Sequence, residues 1–144
     1  MISGHKVDIK PVLDGPKIMQ HQQLIRRVIV APHIQDYAIR CTLATHPNGI
    51  YAIPMVSQFL RVGASPRAAQ AITLAAKVRA LLDGRFHVSF KDVKEVVVPA
   101  MRHRVILNFE GEAEGITTDM VLEKVIADTP TQVEGEVPAG AGAR

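Results

Sequence analysis

Apolar residues recur at i, i+3, i+4 and i+7 along most of the chain, the spacing of helices that bury one face. From Gly15-Pro16, where proline suits a first helical position, Ile18, Leu24, Ile25 and Val28 share a face and predict a helix over 16–29. After Ala31-Pro32, the residues Ile34, Tyr37, Ala38 and Cys41 predict a second helix over 33–46, stopped by His46-Pro47-Asn48-Gly49. The stretch 48–62 has mixed periodicity around Pro54 and predicts a loop followed by a short helix near 54–60.

The best-marked start in the chain is Ser65 as N-cap with Pro66 at the first helical position, followed by an Ala-rich run to Asp83-Gly84. Ala68, Ala71, Ile72, Ala75, Val78 and Leu82 form its stripe, and small alanines let neighbouring helices approach closely, so this helix is expected at the centre of the fold. Ser89, with Asp92 three residues on, carries the capping-box signature for a helix through about 104, lined by Val93, Val96, Val97, Ala100 and Met101. Pro99 should kink or split it, because proline removes a backbone donor. Thr117 or Thr118 caps a last helix whose stripe is Val121, Leu122, Val125 and Ile126, with Pro130 as its stop.

Only the short segments 7–9, 86–88 and 105–107 are suited to pairing as strands. The expected fold is therefore all-α, a helical bundle with at most a few very short strands. Residues 1–15 read as an extended lead-in, since Val7 and Ile9 alternate with charged neighbours and Pro11 forbids a continuous helix. Residues 16–130 read as the helical domain, and 131–144, without apolar period, as a disordered tail.

Composition narrows this further. With 144 residues the chain fits one domain, and 47% apolar against 22% charged residues excludes a chain disordered throughout. Its apolar runs are too short for a transmembrane helix, and no Trp, two Tyr and four Phe leave an aliphatic core. The single Cys41 permits neither an internal disulfide nor a multi-cysteine zinc site, and its place in an apolar stripe suits a small buried hydrophobe. The N-terminus lacks a secretory pattern, so a cytoplasmic setting is expected. Seventeen Lys and Arg against fourteen Asp and Glu give +3, too slight for a dedicated nucleic-acid binder but compatible with a local anion site.

Familiar catalytic signatures are missing: no GK dipeptide, G-x-G-x-x-G, H-E-x-x-H, C-x-x-C or G-x-S-x-G occurs. The histidines at 5, 21, 33, 46, 87 and 103 give no i, i+4 pair on one expected helix, so no metal site is expected. The informative run is Gly63-Ala64-Ser65-Pro66-Arg67-Ala68. A cation in a helix's first turn opposes the macrodipole, an unfavourable placement of about 0.3–1 kcal/mol unless an anion answers it. Arg67 and the backbone N–H groups of that turn could converge on a phosphate; a solvent-exposed arginine that happens to follow a Ser-Pro start explains the same residues. Lys77, Arg79 and Arg85 suit the negative end of their helix and read as structural. Arg102-His103-Arg104 fits either a contact to another domain or a solvated turn, and Glu110, Glu112 and Glu114 read as a solvated loop.

The run GASPRA, then AAKVRALLDGRFHVSFKDV, then MRHRVILNFEGEAEGI resembles the C-terminal lid subdomain of MoxR-family AAA+ ATPases over about residues 10–130. The stretch 47–60 is longer than in the shortest lids of that family, and Pro99 falls where members often carry proline. By this resemblance Arg67 is the sensor 2 arginine, with Gly63 and Ser65 beside it at the nucleotide, and it has a catalytic part only together with an ATPase core. The resemblance further implies Walker A, Walker B and arginine-finger parts on sequence preceding Met1, with ATP and Mg2+ bound by the full-length protein and neither by this chain alone. Its implied partners are the AAA+ core of the same polypeptide, neighbouring subunits of a ring, and a protein with a von Willebrand factor A domain. The rival expectation is a free-standing helical module that binds protein, or nucleic acid through Arg26, Arg27, Arg102 and Arg104. It lacks a recognition helix and aromatic interleaving.

Overall fold

A computed structural model describes residues 10–131, in which seven helices and one two-stranded sheet follow one another. In chain order they are α1 (Gly15–Arg26), α2 (Pro32–Leu43), α3 (Pro54–Phe59), β1 (Leu60–Val62), α4 (Arg67–Leu82), α5 (Phe90–Met101), β2 (Ile106–Leu107), α6 (Phe109–Ala113) and α7 (Thr118–Asp128). The edge strand expected at 7–9 and the tail after Thr131 lie outside the described residues.

The Ala-rich helix does sit at the centre: α1, α2 and α5 all pack against α4. Its buried row is Ala68, Ile72, Ala76 and Ala80, all fully inaccessible; Ala68 and Ile72 were in the expected stripe, Ala76 and Ala80 were not. Ala71, Ala75 and Val78 are half-buried and Leu82 is 73% exposed, because α4 packs along its i, i+4 ridge and the expected row drifts off that ridge by its last turn. The helix ends as expected at Gly84, whose φ of +72° is the left-handed conformation that glycine adopts without strain. There the N–H of Arg85 donates to the Ala80 carbonyl at 2.8 Å and that of Gly84 to Leu81 at 2.9 Å, satisfying two orphan carbonyls.

The stripe of α2 is buried as expected at Ile34, Tyr37, Ala38 and Cys41, with Tyr37 edge-on to Phe90 of α5 at 5.4 Å between centroids. Burial pushes the Cys41 thiol up to about 11, so at neutral pH it behaves as a packed apolar group. Arg40 turns the other way and donates to the carbonyls of Pro130 and Thr131 at 3.4 and 3.2 Å, fastening the chain beyond α7 to α2. α7 itself starts on Thr117, whose hydroxyl accepts from the Met120 N–H at 3.2 Å, and it buries Val121, Leu122 and Val125.

Several expectations need correction, and one is the end of α2, which stops at Leu43 rather than at 46. α1 ends at Arg26 and fully buries none of its residues: Ile18 is 46% and Leu24 38% exposed, whereas Ile25 is half-buried and Val28, just beyond the helix, is buried as expected. Beyond it the chain is extended, and Ile29 pairs with the 86–88 segment through bonds of 3.0 Å to Phe86 and from Val88. α5 is not split at Pro99; it runs through the proline and stops at Met101, short of 104. Glu110 and Glu112 lie on α6 rather than in a loop, because the Asn108 side chain accepts from the Gly111 N–H at 2.9 Å and caps a helix that sequence reading overlooked. The 105–107 segment does pair, as β2, antiparallel to β1 with Leu60 opposite Leu107.

Candidate functional site

The start of α4 is positioned by what Gly63 lacks. A Cβ built there would stand 2.5 Å from the Thr45 carbonyl oxygen and 2.9 Å from the His46 Cα, so only glycine lets the two backbones touch. Thr45, wholly buried, locks the same junction: its hydroxyl donates to the Thr42 carbonyl at 2.7 Å and accepts from the Ala64 N–H at 2.9 Å. Ala64 and Ala68 are fully buried on either side of Ser65, Pro66 and Arg67, which are exposed. The segment is thus pinned at both flanks with its polar middle held outward.

The cap differs from the one expected. Ser65 offers no side-chain bond and Pro66, in helical conformation, occupies the cap position, so Arg67 is the first residue of α4. The Ala68 N–H donates to the Ser65 carbonyl at 2.8 Å and the Ala69 N–H to the Pro66 carbonyl at 3.1 Å, the tight i, i+3 pattern of a helix end. Those two donors are therefore already engaged, and proline has none. What this turn has to offer an anion is the Arg67 guanidinium, free of ion pairs among the described residues, and the positive end of a sixteen-residue helix with no acid in its first turn.

Beside this turn runs a groove of about 740 Å³ between α2 and α4, lined towards one end by His46 and Pro66 and towards the other by Arg26 and Lys77. His46 was not singled out by sequence. Its Nδ1 is buried without a partner among the described residues, and the signal that could have flagged it, contact with Gly63, is tertiary.

Several other cations are used within the fold. Arg85 spans Asp83, at 3.0 Å, and the buried Asp92, at 2.7 and 2.9 Å. Asp92 also accepts from the Ser89 N–H at 2.8 Å, completing the expected capping box, and the guanidinium beside it holds its carboxyl well below the usual range. Arg79 pairs with Glu95 across α4 and α5, and Lys77 donates to the Arg26 carbonyl at 3.3 Å. Arg102 pairs with Asp119 at 2.7 Å, and Arg104 donates to the Ala100 carbonyl at 3.0 Å, so two of the four arginines of the nucleic-acid alternative are engaged internally. Glu110 accepts from Gln58 at 2.9 Å. Among the described residues no group of His, Cys, Asp and Glu could hold a metal, and no helix is long and apolar enough to cross a membrane.

Comparison with known proteins gives this geometry a context. The AAA lid domain family model matches residues 54–125. Chaperone MoxR1 of Mycobacterium tuberculosis is 30% identical over 129 residues, covering 90% of this chain and 34% of that protein. Uncharacterized protein YeaC of Bacillus subtilis is 23% identical over 134 residues, covering 91% and 38%. The chain thus spans only about a third of the length of the curated relatives it matches. A crystal structure of a Cytophaga hutchinsonii protein assigned as an ATPase matches with a TM-score of 0.76 and 30% identity, over 80% of this chain and 35% of that one.

Proposed function

Because the chain belongs to the AAA lid domain family, as a lid of the MoxR type, we propose that it closes over ATP held by an ATPase core on the same polypeptide. The observation that carries this reading is the start of α4, where the Gly63 junction holds Arg67 outward, unpaired, at the positive end of a long helix. A guanidinium so placed can donate to two phosphate oxygens at once, and the helix end favours the same charge. Arg67 is then the sensor 2 arginine, with Gly63 and Ser65 shaping the turn that presents it.

The residues present fit ATP as one wall of a cleft and no more. No metal-binding group lies among the described residues, so Mg2+, whose chemistry is to neutralise phosphate charge, would be held by the core. Phosphate contact through Arg67 ties lid position to nucleotide state, and rigid-body movement of the helical bundle carries the change outward. In this reading the segment before α1 leads from the core, residues 16–130 are the lid and 131–144 a tail. Neighbouring subunits of a ring, a client with a von Willebrand factor A domain and a cytoplasmic setting belong to the same proposal. They follow from the resemblance to MoxR-family ATPases; the similarity to a protein named as a chaperone supports the chaperone-like role alone.

The first test uses the purified chain alone. One arginine and a helix start cannot replace a phosphate-binding loop, its lysine and its magnesium ligands, so ATP turnover should equal the buffer blank. Turnover above the blank would contradict the assignment as a lid.

A further inference from the structure

The groove between α2 and α4 does not belong to the phosphate contact except at its Pro66 end, and its lining has a consistent chemistry. Ile39, Leu43 and Leu74 stand 40%, 40% and 55% exposed along it, a run of large apolar side chains that nothing among the described residues covers. The two threonines in its walls add no polar demand: Thr42 and Thr73 donate to the carbonyls of Ala38 and Ala69 on their own helices, at 3.0 and 2.8 Å. No carboxylate lines it, while Arg26 and Lys77 stand at its far end.

We propose that this groove is a docking site for an acidic amphipathic helix presented by a separate partner protein. Three arguments select that occupant. The walls are helices whose backbone groups are bonded internally, so an inserted strand would leave its own N–H and C=O groups unpaired, whereas a helix brings its backbone satisfied. From Pro66 to Lys77 the groove follows α4 for eleven residues, about 16 Å or three turns, the span over which an apolar stripe presents i, i+4 and i+7 side chains. Cations at the end, with no acid along the lining, favour Asp or Glu flanking that stripe.

The probe is a fluorescein-labelled synthetic helix of about fourteen residues, with leucines at three- and four-residue spacing and glutamates between them, compared with its lysine-for-glutamate twin by fluorescence polarisation on the whole 144-residue chain. The acidic helix should bind at least about tenfold tighter than its twin, with the preference shrinking as salt rises. Leu74→Glu should weaken the acidic helix by about tenfold or more, and Lys77→Glu should shift the preference towards the basic twin. Phe109→Ser, at an 86% exposed residue outside the groove, should change nothing. Circular dichroism of each variant confirms that the bundle is intact. Equal binding of the two helices, or none, overturns the proposal. So does a concentration-dependent dimer that Leu74→Glu dissociates, since the groove would then be a self-contact. If the chain joined to its ATPase core no longer binds the helix, the occupant is that core and the proposal also falls. That last outcome leaves the lid assignment standing, whereas ATP turnover by the chain alone would remove that assignment without touching the groove.

Discussion

Gly63→Ala is expected to lower the melting temperature of the chain by several degrees, although it adds only one methyl group. The new Cβ would meet the Thr45 carbonyl oxygen at 2.5 Å and the Thr45 carbonyl carbon at 2.8 Å, well inside contact distance. Both are backbone atoms in a junction that the buried Thr45 hydroxyl ties to Thr42 and Ala64, so no side chain can swing aside. Overpacking of this kind costs about 1–3 kcal/mol, and the upper end applies where backbone must move. At roughly 3–4 °C per kcal/mol for a domain of this size, thermal denaturation followed by circular dichroism resolves it. The start of α4 has to shift to relieve the clash, so the same variant should also weaken whatever Arg67 binds. A variant melting with the wild type would show that the junction is looser than its geometry implies.

Asp92→Asn is expected to have an effect at least as large, through charge rather than volume. The Asp92 carboxylate is 1% exposed and accepts from two nitrogens of Arg85, from the Ser89 N–H and from the Ser89 hydroxyl. An amide places a donor where donors already converge. Loss of charge-assisted bonds together with a weakened helix cap should cost about 2–4 kcal/mol, less than for a sealed ion pair because Arg85 still reaches water. The sign of the pH dependence follows from the lowered pKa of Asp92. A carboxyl that ionises more readily when folded contributes its stability in full above its unfolded value of about 3.9, and loses it as pH falls below that towards the folded value. Urea denaturation should therefore show the widest gap between wild type and variant at neutral pH and a narrowing gap below about pH 4. A gap independent of pH would mean that shape, not charge, is what Asp92 supplies.

Those two residues mark the boundary of what the sequence discloses. Ser89 with Asp92, Thr117, and the stripe Ile34, Tyr37, Ala38 and Cys41 were legible because caps and helical faces are set by residues within a few positions of one another. The apolar face of α1 was legible too, but periodicity tells that a face is apolar and not what covers it, and Ile18 and Leu24 remain exposed. Asn108 was overlooked because a helix of five residues has too few turns to show a period. The Ala68, Ile72, Ala76 and Ala80 ridge depends on which neighbours press on α4, which no local window contains.

The candidate site divides in the same way. Arg67 could be picked out locally, as a cation at the wrong end of a helix. The reason for Gly63 lies eighteen residues earlier in the chain, at Thr45, and His46 came to light only through that contact. Ser65 was misjudged as a cap because the turn closes with i, i+3 backbone bonds that leave its side chain unused.

The central claim is that Arg67 faces a nucleotide and not the fold. The measurement that tests it most directly compares Arg67→Ala in two settings: thermal melting of the 144-residue chain, and ATP turnover by the polypeptide in which the chain is joined to its ATPase core. The chain should melt at the wild-type temperature or slightly above, since removing a cation from a helix start relieves about 0.3–1 kcal/mol of unfavourable interaction with the dipole. Turnover should fall by about ten- to a hundredfold, the loss expected for one charge-assisted contact to phosphate. If the chain instead melts far lower while turnover is untouched, Arg67 is a structural residue and the assignment of the α4 start to the nucleotide is wrong.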